Sequence, residues 1–211
     1  MEPYTDQDYF EHIDGKPRYE GVATFVASRG ITLAFGEPTD APGTATVCAL
    51  GNEKDARVNE IFVEEGITPY PGSVRFLDAV VAAGAAVAVV SSSKNAPGVL
   101  AAAGLAHRFE VVVDGNVAAH HGIAGKPAPD TYLHAAALLG VPPASAIVVE
   151  DATSGVAAGR AGGFGLVLGI DRGTGAPALL DAGADRVVTD LGELDATVLD
   201  LLLLPATGVG A

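Results

Sequence analysis

An α/β fold with a doubly wound, mainly parallel sheet is predicted by three observations on this 211-residue chain. Five short apolar runs, at 85–90, 110–113, 146–149, 165–170 and 186–188, are too short and too continuous for amphipathic helices. Helical stretches separate them, with Pro near several starts and Gly near the ends. Continuous apolar strands flanked by helices belong to parallel sheets covered on both faces, joined by right-handed crossovers. Before residue 70 the chain is instead helical and strand-poor.

The elements follow in order. Residues 17–30 space Val22, Phe25 and Val26 along one face and end at a Gly, which predicts a helix. TLAFGEPTDAPGT reads as loop. A second helix is predicted over 52–65, with Val58, Ile61 and Phe62 as its apolar side. TPYPG at 68–72 punctuates the chain, and the alternating pattern begins, with helices predicted over 72–84, 97–104, 127–140 and 154–162. A last helix is predicted over 194–204.

Composition narrows the function. The net charge of −14 repels phosphate backbones and anionic lipid, so no nucleic-acid or membrane partner is expected. An anionic ligand must be met by a few locally placed cations. The single Cys48 excludes an internal disulfide framework, the polar N-terminus is no signal peptide, and the apolar runs are too short to span a bilayer. A cytoplasmic monomer is expected.

Ligands of open α/β sheets bind beyond the carboxyl ends of the strands, which makes the residues after each run the ones of interest. After the first run stands Ser91-Ser92-Ser93-Lys94-Asn95, three hydroxyls, an ammonium and free N–H groups ahead of a helix, which suit an anion. The same residues would also serve as ordinary caps. Lys126 precedes a helix opened by paired prolines in GKPAPD and suits phosphate neutralisation, although a solvated lysine would look the same. Asp130 is explained by the helix dipole. The third apolar strand delivers Glu150 and Asp151 side by side, a pair that repels itself without a cation and suits Mg²⁺; an N-cap role would explain Asp151 but not both.

The order of these signals is more specific than any one of them. A receiver domain places its acids first and its lysine last, and is excluded. SSSKN, GKPAPDTY and VVEDATSGVAAGRAGG resemble the haloacid dehalogenase superfamily, and within it the β-phosphoglucomutase-type subgroup. The resemblance implies a Rossmann-like core over 70–211 and a helical cap over 1–69. It further implies that Ser91 and Lys126 hold the transferring phosphoryl group, that Glu150 and Asp151 bind Mg²⁺, and that Ser92, Ser93, Lys94 and Asn95 contact a phosphorylated sugar. GKPR and GNEK resemble cap motifs, which would send Arg18 and Lys54 into the closed site; ordinary surface charge is the alternative for both. The implied reaction converts a hexose 1-phosphate to the 6-phosphate through a phospho-aspartate. A sugar-phosphate phosphatase of the same fold and a non-catalytic sugar-phosphate-binding module are the alternatives.

One motif departs from the family. Its first strand should be apolar and end in Asp-x-Asp, the nucleophile and the general acid/base. Asp6-Gln7-Asp8 follows Met-Glu-Pro-Tyr-Thr, which makes no buried strand, and reads as a polar helix start capped by Thr5. Asp114 follows a better strand but stands alone and at the wrong point in the order. The chain therefore reads as a family member without its central first strand and the beginning of its cap, through a late start codon, a split gene or truncation. In this form it is expected to be inactive, with a slot in its core between the strands ending at Ser91 and Glu150.

Overall fold

The computed structural model describes residues 3–199. Helix α1 (Asp6–His12) opens on a capping box: the Thr5 hydroxyl accepts from the Asp8 amide while the Asp8 carboxylate accepts from the Thr5 amide. Asp8 also pairs with Arg29 at 2.5 Å, so this aspartate is spent on the helix start and its neighbour. Helix α2 (Arg18–Ser28) packs on α3 (Val47–Glu65), where Gly51 leaves room for the ring of Tyr19.

Helix α3 starts five residues before the predicted 52. Thr46 caps it by accepting from the Ala49 amide, and Val47, Cys48 and Ala49 are buried beneath the preceding loop. Helix α4 (Pro71–Ala82) carries the chain into β1 (Ala88–Val90), α5 (Ala96–Ala102) and β2 (Val111–Val113). Then come α6 (Gly115–His121), α7 (Asp130–Leu139), β3 (Ile147–Glu150), α8 (Thr153–Ala161), β4 (Leu166–Ile170), α9 (Ala176–Asp181) and β5 (Arg186–Val188). Helices α6 and α9 were not predicted; they open on Gly115 and on Gly175-Ala176-Pro177, poor helix-forming sequence. Of the helix predicted over 194–204, residues 200–204 lie outside the described residues, and the described part forms only a 3₁₀ turn, Ala196–Leu199.

All strand pairings between named strands are parallel. Among the described residues they do not form one sheet: β1 pairs only with β2, while β3, β4 and β5 form a second sheet in that order. The second sheet is covered on both faces. Val148 and Val167 face a cluster with Tyr132, Val156, Phe164 and Leu179, while Leu168, Ile170 and Val188 face Phe76, Val80 and Leu191.

Between β1 and β3 lies an apolar cavity of about 660 Å³, lined by residues 87–90 of one edge and 147–149 of the other. Phe76, Val80, Tyr132, Ala136 and Leu139 close it above and below. Val148, which faces the Tyr132 cluster, is 3% exposed, whereas Val149 on the opposite face is 37% exposed, and among the described residues β3 has no strand partner on the slot side. Among the described residues no segment enters this slot. The neighbouring strands have not closed up, and the described strands form two sheets on either side of the slot.

Candidate functional site

The site forms at the carboxyl ends of β1 and β3, on the two banks of the slot. Glu150, the last residue of β3, is 9% exposed and fully partnered. Its Oε1 accepts from Lys126 Nζ and from the Tyr132 hydroxyl at 3.0 Å, and its Oε2 accepts from the amides of Asp151 (2.8 Å) and Ala152 (3.0 Å). Gly155 makes this possible, since a Cβ there would collide with the Glu150 carboxyl. Lys126 reaches back across the slot to the Val90 carbonyl at 3.4 Å and lies over the Tyr132 ring, so it ties the end of β1 to the end of β3.

Burial is the largest single influence on Glu150 and would raise its pKa, but the Lys126 ammonium, the Ala152 amide and the Tyr132 hydroxyl together outweigh it and the net shift is downward. Glu150⁻ and Lys126⁺ are thus a matched buried pair, with most of the carboxylate's lone pairs taken. Tyr132 is driven upward by burial and by Glu150 and stays a neutral donor.

Asp151 has no such cation. Burial of its carboxyl at the crevice mouth, followed by the charges of Glu150 and Asp14, pushes it up to about 6, although its side chain keeps contact with solvent. Asp14, which the sequence reading did not single out, is raised by its own burial and by Glu150. It enters from the turn after α1, where Gly15 adopts φ +68° and approaches Ser154 and Ala152 too closely for any Cβ. The adjoining Tyr9 is pushed up to about 12 by burial and by Asp14. Only the fold places Asp14-Gly15 against residues 150–154.

Three crowded carboxylates, two with raised pKa values, are the donor chemistry a hard divalent ion would relieve. Asp151 is the readiest ligand; Glu150 is committed to Lys126. Among the described residues no three metal-ligating side chains converge on one point.

The loop after β1 is folded by its own hydroxyls. Ser91 Oγ accepts from the Ser93 amide and Ser93 Oγ from the Asn95 amide, both at 3.1 Å, while Ser92 donates to the Gly15 carbonyl at 3.0 Å. Asp114, buried, caps α6 through the Asn116 and Val117 amides, and Asn116 in turn donates to the Lys94 carbonyl. Its capping role accounts for Asp114 without chemistry. Asn95 donates to Asp55 of α3 at 2.5 Å, and Arg18 pairs with the same Asp55 oxygen at 2.6 Å. Lys54 and Lys94 are exposed, with no ion pair among the described residues.

In the metal-free protein the Asp151 shift has a testable sign. Between the ordinary aspartate value of 3.8 and about 6, the folded chain holds a proton that the unfolded chain has released, so stability falls as pH rises through that window. Asp151→Asn is expected to leave the melting temperature unchanged near pH 3.5 and to raise it at pH 7.5. Solvent screening limits the gain to about 1 kcal/mol, or ~2–4 °C. Thermal melts at the two pH values check this, and a variant that melts below the parent at pH 7.5 would mean that the carboxylate has a stabilising partner.

An α/β core that gathers a lysine, hydroxyls and carboxylates at its strand ends defines a phosphate-handling domain of the doubly wound class. The chain belongs to the haloacid dehalogenase-like hydrolase family, whose model matches residues 5–163. It is similar to the β-phosphoglucomutase of Mycobacterium bovis, 50% identical over 190 residues that cover 89% of this chain and 72% of that protein. Over 133 residues, 60% of this chain and 29% of the relative, it is 40% identical to a trehalose-phosphate phosphatase of Mycobacterium leprae. The structure of a β-phosphoglucomutase from Clostridium difficile shares its fold, with a TM-score of 0.74 at 22% identity, covering 94% of this chain and 82% of the other. No helix among the described residues is long and apolar enough to cross a membrane.

Proposed function

We propose that this chain is the body of a β-phosphoglucomutase-type phosphotransferase that converts a hexose 1-phosphate to the 6-phosphate through a phospho-aspartate. The observation that supports this reading is that Ser91, Lys126, Glu150 and Asp151 lie at the carboxyl ends of β1 and β3, the two strands that flank the apolar slot. In this reading Ser91 and Lys126 bind the transferring phosphoryl group, and Arg18, Lys54 and residues 92–95 take the sugar and its second phosphate. The nucleophilic aspartate belongs to a strand that occupies the slot, so the 211 residues alone are inactive.

Mg²⁺, held by Asp151 with Glu150 and a carboxylate of that strand, would neutralise charge on the phosphoryl oxygens. The chain's own residues do the rest. Lys126 exchanges Glu150 for the phosphoryl group, and the cap excludes water from the phosphoenzyme.

A sugar-phosphate phosphatase is the second reading, favoured by the match to a phosphatase of the same family. The two differ in whether water reaches the phosphoenzyme. With the strand supplied and Mg²⁺ present, one anomer of glucose 1-phosphate is expected to yield glucose 6-phosphate without release of inorganic phosphate, both anomers being assayed. Phosphate release alone assigns the phosphatase, and neither product overturns both.

A further inference from the structure

One carboxylate joins the cap to the core. Asp55 Oδ1 accepts from Arg18 Nη2 at 2.6 Å and from Asn95 Nδ2 at 2.5 Å. Arg18 opens α2, Asp55 lies in α3, and Asn95 ends the loop after β1, so two donors from separate parts of the chain converge on one anionic oxygen. Arg18 and Asn95 are also two of the residues that the functional reading assigns to the sugar phosphate. Lys54 and Lys94, adjacent in sequence to Asp55 and Asn95, add two exposed cations in a chain with only 12 basic residues.

We propose that Asp55 stands in for a substrate phosphate: its carboxylate occupies the anion position between Arg18 and Asn95 in the ligand-free protein, and a phosphomonoester displaces it. The proposal rests on the sugar-phosphate reading above. Its physical basis is the balance between the two anions. The Arg18 and Asp55 side chains are 23% and 21% exposed, so solvent weakens their pairing. A phosphate dianion offers the same donors more charge and three acceptor oxygens, and its charge-assisted bonds are the stronger. A neutral sugar offers no such exchange. Asp55 would thereby make the position selective for phosphorylated ligands, and the bound phosphate would take its place as the link between Arg18 of the cap and Asn95 of the core loop.

Removing the carboxylate's charge removes the competitor. By calorimetry, glucose 6-phosphate is expected to bind Asp55→Asn about tenfold tighter than the parent chain, the scale of one unit charge a few ångströms from an anion near a protein surface. Asp55→Ala should shift in the same direction. The gain should vanish when Arg18→Met is present in both chains of the comparison, and binding of glucose should not change. Thermal melts of every variant confirm that folded protein is compared. Unchanged or weaker binding by Asp55→Asn, with the parent chain binding normally, overturns the displacement and leaves the sugar-phosphate reading standing. Failure of the parent and all variants to bind glucose 6-phosphate overturns that reading and this proposal together.

Discussion

Supplying an apolar strand that ends in Asp-x-Asp to the slot between β1 and β3 is expected to raise the melting temperature by about 10 °C and to create Mg²⁺-dependent turnover. The strand can be joined ahead of α1 or added as a peptide. Residues 88–90 and 147–150 present two parallel edges whose outward ladder groups have no strand partner among the described residues. A single strand between them satisfies both edges at once, which is why an extended segment suits the slot better than a helix. Because the lining residues close the slot above and below, both faces of the added strand are buried, and every position must be apolar.

Four well-buried aliphatic side chains contribute about 1.5–3 kcal/mol each, against an ordering cost of ~1–2 kcal/mol for each residue fixed. The balance is a few kcal/mol, and at ~2–4 °C per kcal/mol for a domain of this size it gives the stated shift. A strand with Pro at its centre is the control, since it cannot complete the ladder. Scanning calorimetry together with an assay for glucose 6-phosphate checks both halves. A melting temperature indifferent to the apolar strand and to its Pro control would remove the slot as a strand site. Turnover by the 211 residues alone that Lys126→Ala abolishes would refute the placement of the nucleophile outside them.

Much of this was legible because parallel sheets write their strands as unbroken apolar runs. All five strands lie within a few residues of the runs that predicted them, and the residues after two of those runs, Ser91 and Glu150-Asp151, stand at the ends of the strands that flank the slot. Less legible was anything that depends on approach between distant segments. Asp14 carried no signal in the sequence, and only the fold set it beside Asp151. Glu150 read as a metal ligand beside its neighbour, yet its oxygens are engaged by Lys126, Tyr132 and two amides, a commitment no spacing rule encodes. Arg18 was recognisable from GKPR, but its partner Asp55 lies on another helix and was visible only once α2 and α3 were packed. Helices α6 and α9 escaped because caps and tertiary contacts hold them where propensity does not.

Lys126→Ala is expected to lower the melting temperature by about 10 °C at pH 7.5. Both partners of the Lys126–Glu150 pair are at least nine-tenths buried, and removing one side of a buried pair costs about 3–5 kcal/mol because the other is left charged and uncompensated. Glu150 keeps its bonds to Tyr132 and the two amides, which places the cost toward the lower end of that range. The pH dependence separates this cause from lost packing. In the parent chain the Glu150 pKa is lowered, so the pair's contribution is present above the ordinary glutamate value of 4.5 and is lost as pH falls below it. Without the ammonium, burial dominates and the pKa of Glu150 rises above that value, so the folded variant gains protons on acidification that the unfolded chain does not. Its deficit should therefore shrink steadily as pH is lowered from 7.5 toward 4.5. Adding Glu150→Gln to Lys126→Ala should recover part of the loss at pH 7.5, since the isolated charge is then gone. A deficit that is the same at both pH values, and unrelieved by Glu150→Gln, would assign the loss to the lysine's packing against Tyr132 and not to its charge.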